Sequence, residues 1–179
     1  ALRYSPETVK IRNGEYGKVI GADCYSPHHP EPTHPDFGFY GIHGVEILYT
    51  VMGTGCKSVS RVHSDHGDIV SGIWEDGRLG TFRAVSVGPN MYGGTVITET
   101  GTVQAGGYAG YMVLLEKVLD YFRTGVVPIE PEETVEIFTF MKASNMSLER
   151  GGKEVTMKEA YNAGLKDAKK LLKKYGIKY

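Results

Sequence analysis

At 179 residues the chain is long enough for one domain with a substantial core and too short for two independent ones. Hydrophobic residues make up 41% of it, charged residues 23%, and the net charge is −1, a balance that gives no reason to expect nucleic acid or an anionic membrane as partner. No apolar run approaches a membrane span, and the N-terminus lacks the basic-then-apolar pattern of a secretory signal.

Ala1 leads directly into LRYSPETVKIRNGEYGKVIGA. Ser5-Pro6-Glu7 reads as an N-cap, a first-turn proline and a first-turn acid, which predicts a short helix to about Asn13 and then the strand KVIGADCY. Opening on a helix with nothing before it suggests a piece cut from something longer. The segment SPHHPEPTHPDFG carries Pro27, Pro30, Pro32 and Pro35 and reads as an extended, irregular loop.

The run FYGIHGVEILYTVMG, residues 39 to 53, is the most informative stretch. Ile42, Val45, Tyr49 and Met52 have the spacing of a helix face turned to a core. His43, Glu46, Ile47 and Thr50 form the neighbouring stripe, so an imidazole and a carboxylate at i and i+3 can reach one cleft. His43 is therefore the candidate general acid or base. A single helix histidine is more often structural than catalytic, so the assignment needs support elsewhere.

From Lys57 the pattern alternates: KSVSRVHSD, GDIVSGIWED, RLGTFRAVSV, GGTVITET and GTVQA read as strands joined by tight turns, which implies antiparallel neighbours. Met112, Leu115, Leu119 and Phe122 then mark a helix ended by Gly125 and Pro128. Pro131-Glu132-Glu133 opens another, with Ile137, Phe138, Met141 and Leu148 as its apolar stripe and Gly151-Gly152 as its stop. After the strand-like KEVTM comes an amphipathic helix with Ala160, Leu165, Ala168, Leu172 and Tyr175 expected inward. The predicted class is α+β: a largely antiparallel open sheet with helices on one face, the other face free for homo-oligomerisation.

Other constellations have ordinary explanations. Cys24 and Cys56 match no metal or redox spacing and point to a reducing cytoplasm. His28, His29 and His34 lie in the proline-rich loop, and His63, Asp65, His66 and Asp68 surround a turn; neither group has zinc-ligand spacing. The C-terminal lysines Lys166, Lys169, Lys170, Lys173 and Lys174 read as a solvated helix face. GGYAG at 106 to 110 reads as a sheet-to-helix turn rather than a phosphate cradle.

Four landmarks in order resemble one family. ALRYSP with NGEYGKVIGA, GIHGVEILYTVMG, WEDGRLGTF and FRTGVVPIEPEETVEIFTFMKAS are similar to segments of the C-terminal domain of the Gfo/Idh/MocA oxidoreductases, and the likeness spans residues 2 to about 160. The resemblance implies a domain from 18 to 179 preceded, at residues 1 to 17, by a linker helix from a missing N-terminal Rossmann domain. That absent domain would bind NAD or NADP, since no G-x-G-x-x-G and no Glu-Lys-Pro occurs here. The resemblance also implies a sugar- or polyol-like substrate, with His43 as the catalytic histidine and Tyr40, Tyr25 and Glu46 as substrate contacts. The family pattern often has an aspartate four residues before the histidine, where this chain has Phe39. Either Tyr40 compensates, or His43 acts alone, or the chain is a stand-alone non-catalytic ligand-binding or oligomerisation module.

Overall fold

A computed structural model describes residues 1–177, and its elements follow the two periodicities of the sequence. Helix α1 (Pro6–Arg12) precedes β1 (Val19–Pro27), and after the proline-rich loop comes α2 (Gly41–Met52). Strands β2 (Cys56–Ser64), β3 (Gly67–Trp74), β4 (Leu79–Val85), β5 (Gly93–Thr98) and β6 (Gly101–Ala105) follow. The chain ends in α3 (Met112–Thr124), α4 (Pro131–Glu149), the short β7 (Val155–Thr156) and α5 (Met157–Lys174).

The seven strands form one open sheet in the order β6-β5-β1-β4-β3-β2-β7. Period-2 alternation puts Ala22, Cys24 and Ser26 of β1, Val59 and Arg61 of β2, Val70 and Trp74 of β3, Phe82 of β4 and Val96 of β5 on the buried face. Helices α2 and α4 cover that face. The opposite face exposes Ile73, Leu79 and Ile97 among polar side chains. The α+β architecture with helices on one side is as the patterning predicted.

Several particulars differ from expectation. Strands β4 and β5, read as adjacent, are separated by β1, which pairs antiparallel with β5 and parallel with β4. The loop from 86 to 92 therefore crosses a strand rather than closing a hairpin. Small residues make this centre possible, because α2 lies directly across it: a Cβ on Gly44 would fall 2.4 Å from the Phe82 ring and 2.9 Å from Ser26 Oγ.

In α4 the inward stripe is Ile137, Phe140, Met141 and Ser144, and Phe138 is exposed, about 100° off that face. Helix α5 buries Ala160 alone of the predicted five; Leu165, Ala168 and Tyr175 are exposed and Leu172 is half-buried. Helix α3 has no buried residue at all, and Met112, Leu115, Leu119 and Phe122 are open to solvent. Residues 1–17, expected as a linker, are packed into the body through Leu2, Arg3 and Ile11. Arg3 is 2% exposed and donates to Glu46 of α2 at 2.9 Å and to Glu133 of α4 at 2.7 Å. Among the described residues no helix is long and apolar enough to cross a membrane.

Candidate functional site

The first turn of α2 is set by an unusual residue. Tyr40 caps the helix with φ 61° and ψ −39°, a conformation that costs a non-glycine residue about 1–3 kcal/mol. Its carbonyl accepts from Ser26 Oγ at 3.1 Å and from the His43 amide at 3.0 Å. Strand β1 thereby fixes where the helix begins and which way its first turn faces.

His43 lies half-buried one turn in, edge-to-face with Tyr40 (ring centroids 6.0 Å apart) and with Tyr92 (5.7 Å), which precedes β5. Phe39 packs edge-on against Tyr40 at 4.7 Å. These rings, with Ile42, Tyr108 and Tyr111, line a cleft of about 560 Å³. Tyr108 and Tyr111 come from the loop between β6 and α3. That loop is anchored at Gly106, where φ is +78°, a Cβ would fall 2.6 Å from Gly93 Cα, and the amide donates to Thr8 Oγ1 at 2.7 Å.

No side chain among the described residues hydrogen-bonds to the His43 ring. Burial holds its pKa below the ordinary histidine value, against the opposing charge of Glu46 one turn on. A neutral imidazole facing a cleft can accept a hydroxyl proton. Burial also holds the Tyr92 phenol above its usual range, so it remains a hydrogen-bond donor. No side chain of the lining is ordinarily charged. Stacking and hydroxyl contacts therefore dominate the chemistry the cleft offers.

The four predicted site residues separate. His43 and Tyr40 share the cleft. Glu46 is bound to Arg3 and reaches His43 only through its charge. Tyr25 lies on the sheet's open face, opposite Arg83 and Gly93, because it alternates with the inward Cys24 and Ser26. It cannot meet His43 through the sheet. Three lining tyrosines, Tyr92, Tyr108 and Tyr111, were not singled out as contacts. Tyr108 and Tyr111 sit in GGYAGY, where the Tyr-x-x-Tyr spacing beside the glycine turn is the signal that places both rings on one loop. Ile42, expected in the core, packs partly buried against it and also lines the cleft.

Other chemistries find little support. Among the described residues no group of three or more His, Cys, Asp or Glu is arranged to hold a metal ion. Cys24 and Cys56 are buried and form no disulfide; burial pushes the Cys56 thiol up to about 12 and the Cys24 thiol higher still, so neither is a thiolate near neutrality. Gly106 is pressed against the sheet, and the loop projects tyrosines.

No protein-family model matches the sequence, and no curated protein matches it significantly. Solved structures do match in fold. The chain superposes on GenD2 from gentamicin A biosynthesis, solved with NAD, with a TM-score of 0.68 at 16% identity over 87% of this chain and 61% of that one. For the myo-inositol dehydrogenase of Lactobacillus casei, solved with NAD(H) and myo-inositol, the values are 0.68, 12%, 86% and 59%. For the scyllo-inositol dehydrogenase of the same organism, solved with NAD(H) and scyllo-inositol, they are 0.70, 10%, 87% and 62%. The chain thus spans about three fifths of these dehydrogenases and shares the fold of that part of them. These neighbours are Gfo/Idh/MocA-type dehydrogenases, in agreement with the resemblance read from the four landmarks.

Proposed function

We propose that this chain is the substrate-binding and assembly domain of an NAD(P)-dependent oxidoreductase of the Gfo/Idh/MocA type, acting on a sugar- or polyol-like substrate. The observation that carries the reading is His43, half-buried with its pKa held down, at the mouth of a tyrosine-lined cleft, in a fold shared with NAD-bound inositol dehydrogenases. In this role the imidazole accepts a substrate hydroxyl proton and later returns it. Tyr40 and Tyr92 flank the imidazole. Tyr108 and Tyr111 offer aromatic faces to the C–H side of a ring and phenols to its hydroxyls.

The sequence carries no G-x-G-x-x-G motif, which supports assigning NAD or NADP to a separate nucleotide domain of the oxidoreductase. Such a domain supplies the hydride acceptor. The bare stripe of α3 supports the presence of a further covering surface, since an apolar helix face is ordinarily buried. Homo-oligomerisation through the open sheet face completes the assembly role, and Ile73, Leu79 and Ile97, in one row across β3, β4 and β5 with Gly21 between Leu79 and Ile97, give that face an apolar stripe.

A second reading, a stand-alone ligand-binding or oligomerisation module without catalysis, is favoured by one feature: Phe39 stands where the family carboxylate often is, and among the described residues no carboxylate hydrogen-bonds to the His43 ring. The test is His43→Ala in the complete oxidoreductase. Turnover should fall by roughly 10²–10⁴-fold with assembly intact. Unchanged turnover would remove His43 from the chemistry. Inositol binding with no nicotinamide requirement and no turnover would favour the module.

A further inference from the structure

A buried arginine lies on the far side of the proline-rich loop from His43. Arg61 occupies a helix-facing position of β2 and is 3% exposed, a placement that is strongly unfavourable for an unpaired guanidinium. It is fully engaged. Nε donates to Asp68 Oδ1 at 2.7 Å, and both terminal nitrogens donate to the two carboxylate oxygens of Asp36. Its planar face lies 4.1 Å from the centre of the Phe37 ring. The remaining titratable neighbours are His63, whose Nδ1 is 2.8 Å from Asp68 Oδ1, and His28, whose Nε2 is 3.9 Å from Asp36 Oδ1.

The two ends of this network differ in kind. Asp68 belongs to β3, so its pair with Arg61 ties two neighbouring strands of a rigid sheet. Asp36 belongs to the loop and sits at φ 29°, a strained conformation for a non-glycine residue. Such a conformation persists only where its surroundings hold it, and the Arg61 fork is the group that grips it. Phe37, wholly buried, stands edge-on to Phe82 at 5.1 Å, and a Cβ on Gly41 would fall 2.9 Å from its own Cβ. Phe37 is thus wedged between the Arg61 guanidinium and the first turn of α2. Phe39 and Tyr40, which wall the cleft beside His43, follow within three residues, and Tyr40 is itself in a left-handed conformation.

We infer that Arg61 is a positioning residue for the His43 cleft: by clamping Asp36 and stacking on Phe37 it holds the loop so that Phe39 and Tyr40 form the cleft wall. Arg61 touches neither the cleft nor anything bound in it. Asp68 orients the guanidinium, Asp36 receives it, and Phe37 passes the constraint to the start of α2. Lysine cannot replace it, because a single ammonium lacks the fork that spans both carboxylates.

The test compares Arg61→Met and Asp36→Ala with the parent chain. Asp36→Ala removes only the loop half of the clamp and leaves the Arg61–Asp68 pair within the sheet, so it decides the matter if Arg61→Met fails to fold. Two readouts are taken on the folded chain: the titration of the His43 imidazole by NMR, compared with the parent, and binding of myo-inositol as probe. Release of the wall hydrates His43, so its pKa should move up toward the ordinary histidine value. Binding of the probe should weaken by about tenfold, because the ligand must then order the wall itself. A folded Asp36→Ala protein whose His43 titrates as in the parent overturns the inference. The binding arm rests on the polyol reading and the titration arm does not, so a parent chain that ignores myo-inositol counts against that reading while the titration still decides the clamp.

Discussion

Gly44 and His43 are adjacent in α2 and show how one turn of helix serves two surfaces. Gly44 faces the sheet so closely that Ala in its place must displace Phe82, a ring at 0% exposure, or push the helix outward. Gly44→Ala should therefore destabilise the fold by about 1–3 kcal/mol, read from the urea midpoint. An unchanged midpoint would mean that the ring yields freely. His43 faces the cleft and, like His28, has its pKa lowered mainly by burial. The sign of the resulting pH dependence follows directly. Above 6.5 both the folded and the unfolded chain hold these imidazoles neutral. As pH falls below that value the unfolded chain takes up protons first, so stability declines until the depressed folded pKa values are passed. The melting temperature should fall on acidification from pH 7 toward 5.5, and His43→Gln should flatten that slope.

At the scale of elements, α2 and α3 are opposites. Helix α2 is held by sheet contacts beneath it, by Arg3–Glu46 at its side and by Gly53 at its end. Helix α3 has 13 residues, buries none of them, and is bounded by Gly106, Gly107 and Gly110 on one side and Gly125 on the other. An isolated helix of that length is marginal in water. Backbone amides of residues 116–124 should exchange with solvent far faster than those of α2 or α4 when this chain is alone in solution. Phe122→Ser should leave the chain's stability within about 0.5 kcal/mol of the parent, since the ring is 77% exposed and its aromatic neighbour, Tyr121 at 5.8 Å, is itself on the surface. Protection of α3 that appears only with the full assembly would identify it as an interface helix. Protection equal to that of α2 in the lone chain would show that α3 is stable without a covering partner.

For the molecule as a whole, the sheet divides the work. Its helix-covered face carries the core and the approach to His43, and its other face carries apolar side chains set among Asp23, Thr81 and Arg83. Two such faces packed together would bury Leu79 and Ile97 against their copies, so the double change Leu79→Glu and Ile97→Glu should convert an oligomer into a monomer while the far-UV spectrum is retained. Light scattering on the eluting protein reads the outcome directly. A parent chain that is already monomeric at tens of micromolar would remove the sheet face from the assembly role.

Much of this was legible in the residues alone. Period-2 alternation marked β2, β3 and β4, and the Ser-Pro-Glu and Pro-Glu-Glu openings marked α1 and α4. The stripe around His43 marked the helix at the cleft. These signals are local: a strand or helix must repeat its burial pattern at its own period, so the pattern is written in consecutive residues. What the chain order could not show was where separate segments meet. The insertion of β1 between β4 and β5, the placement of Tyr25 on the far face, the capture of Glu46 by Arg3 and the gathering of Tyr92, Tyr108 and Tyr111 around His43 are all long-range contacts. Each depends on which strand edges pair and which helix crosses them. An apolar stripe likewise says that a face wants cover without saying what covers it, so the stripe of α3 predicted a helix but not that it would stand bare. Local periodicity determined the elements and the class of this protein; tertiary pairing alone decided which side chains share its cleft, because distance along the chain carries no information about distance across a sheet.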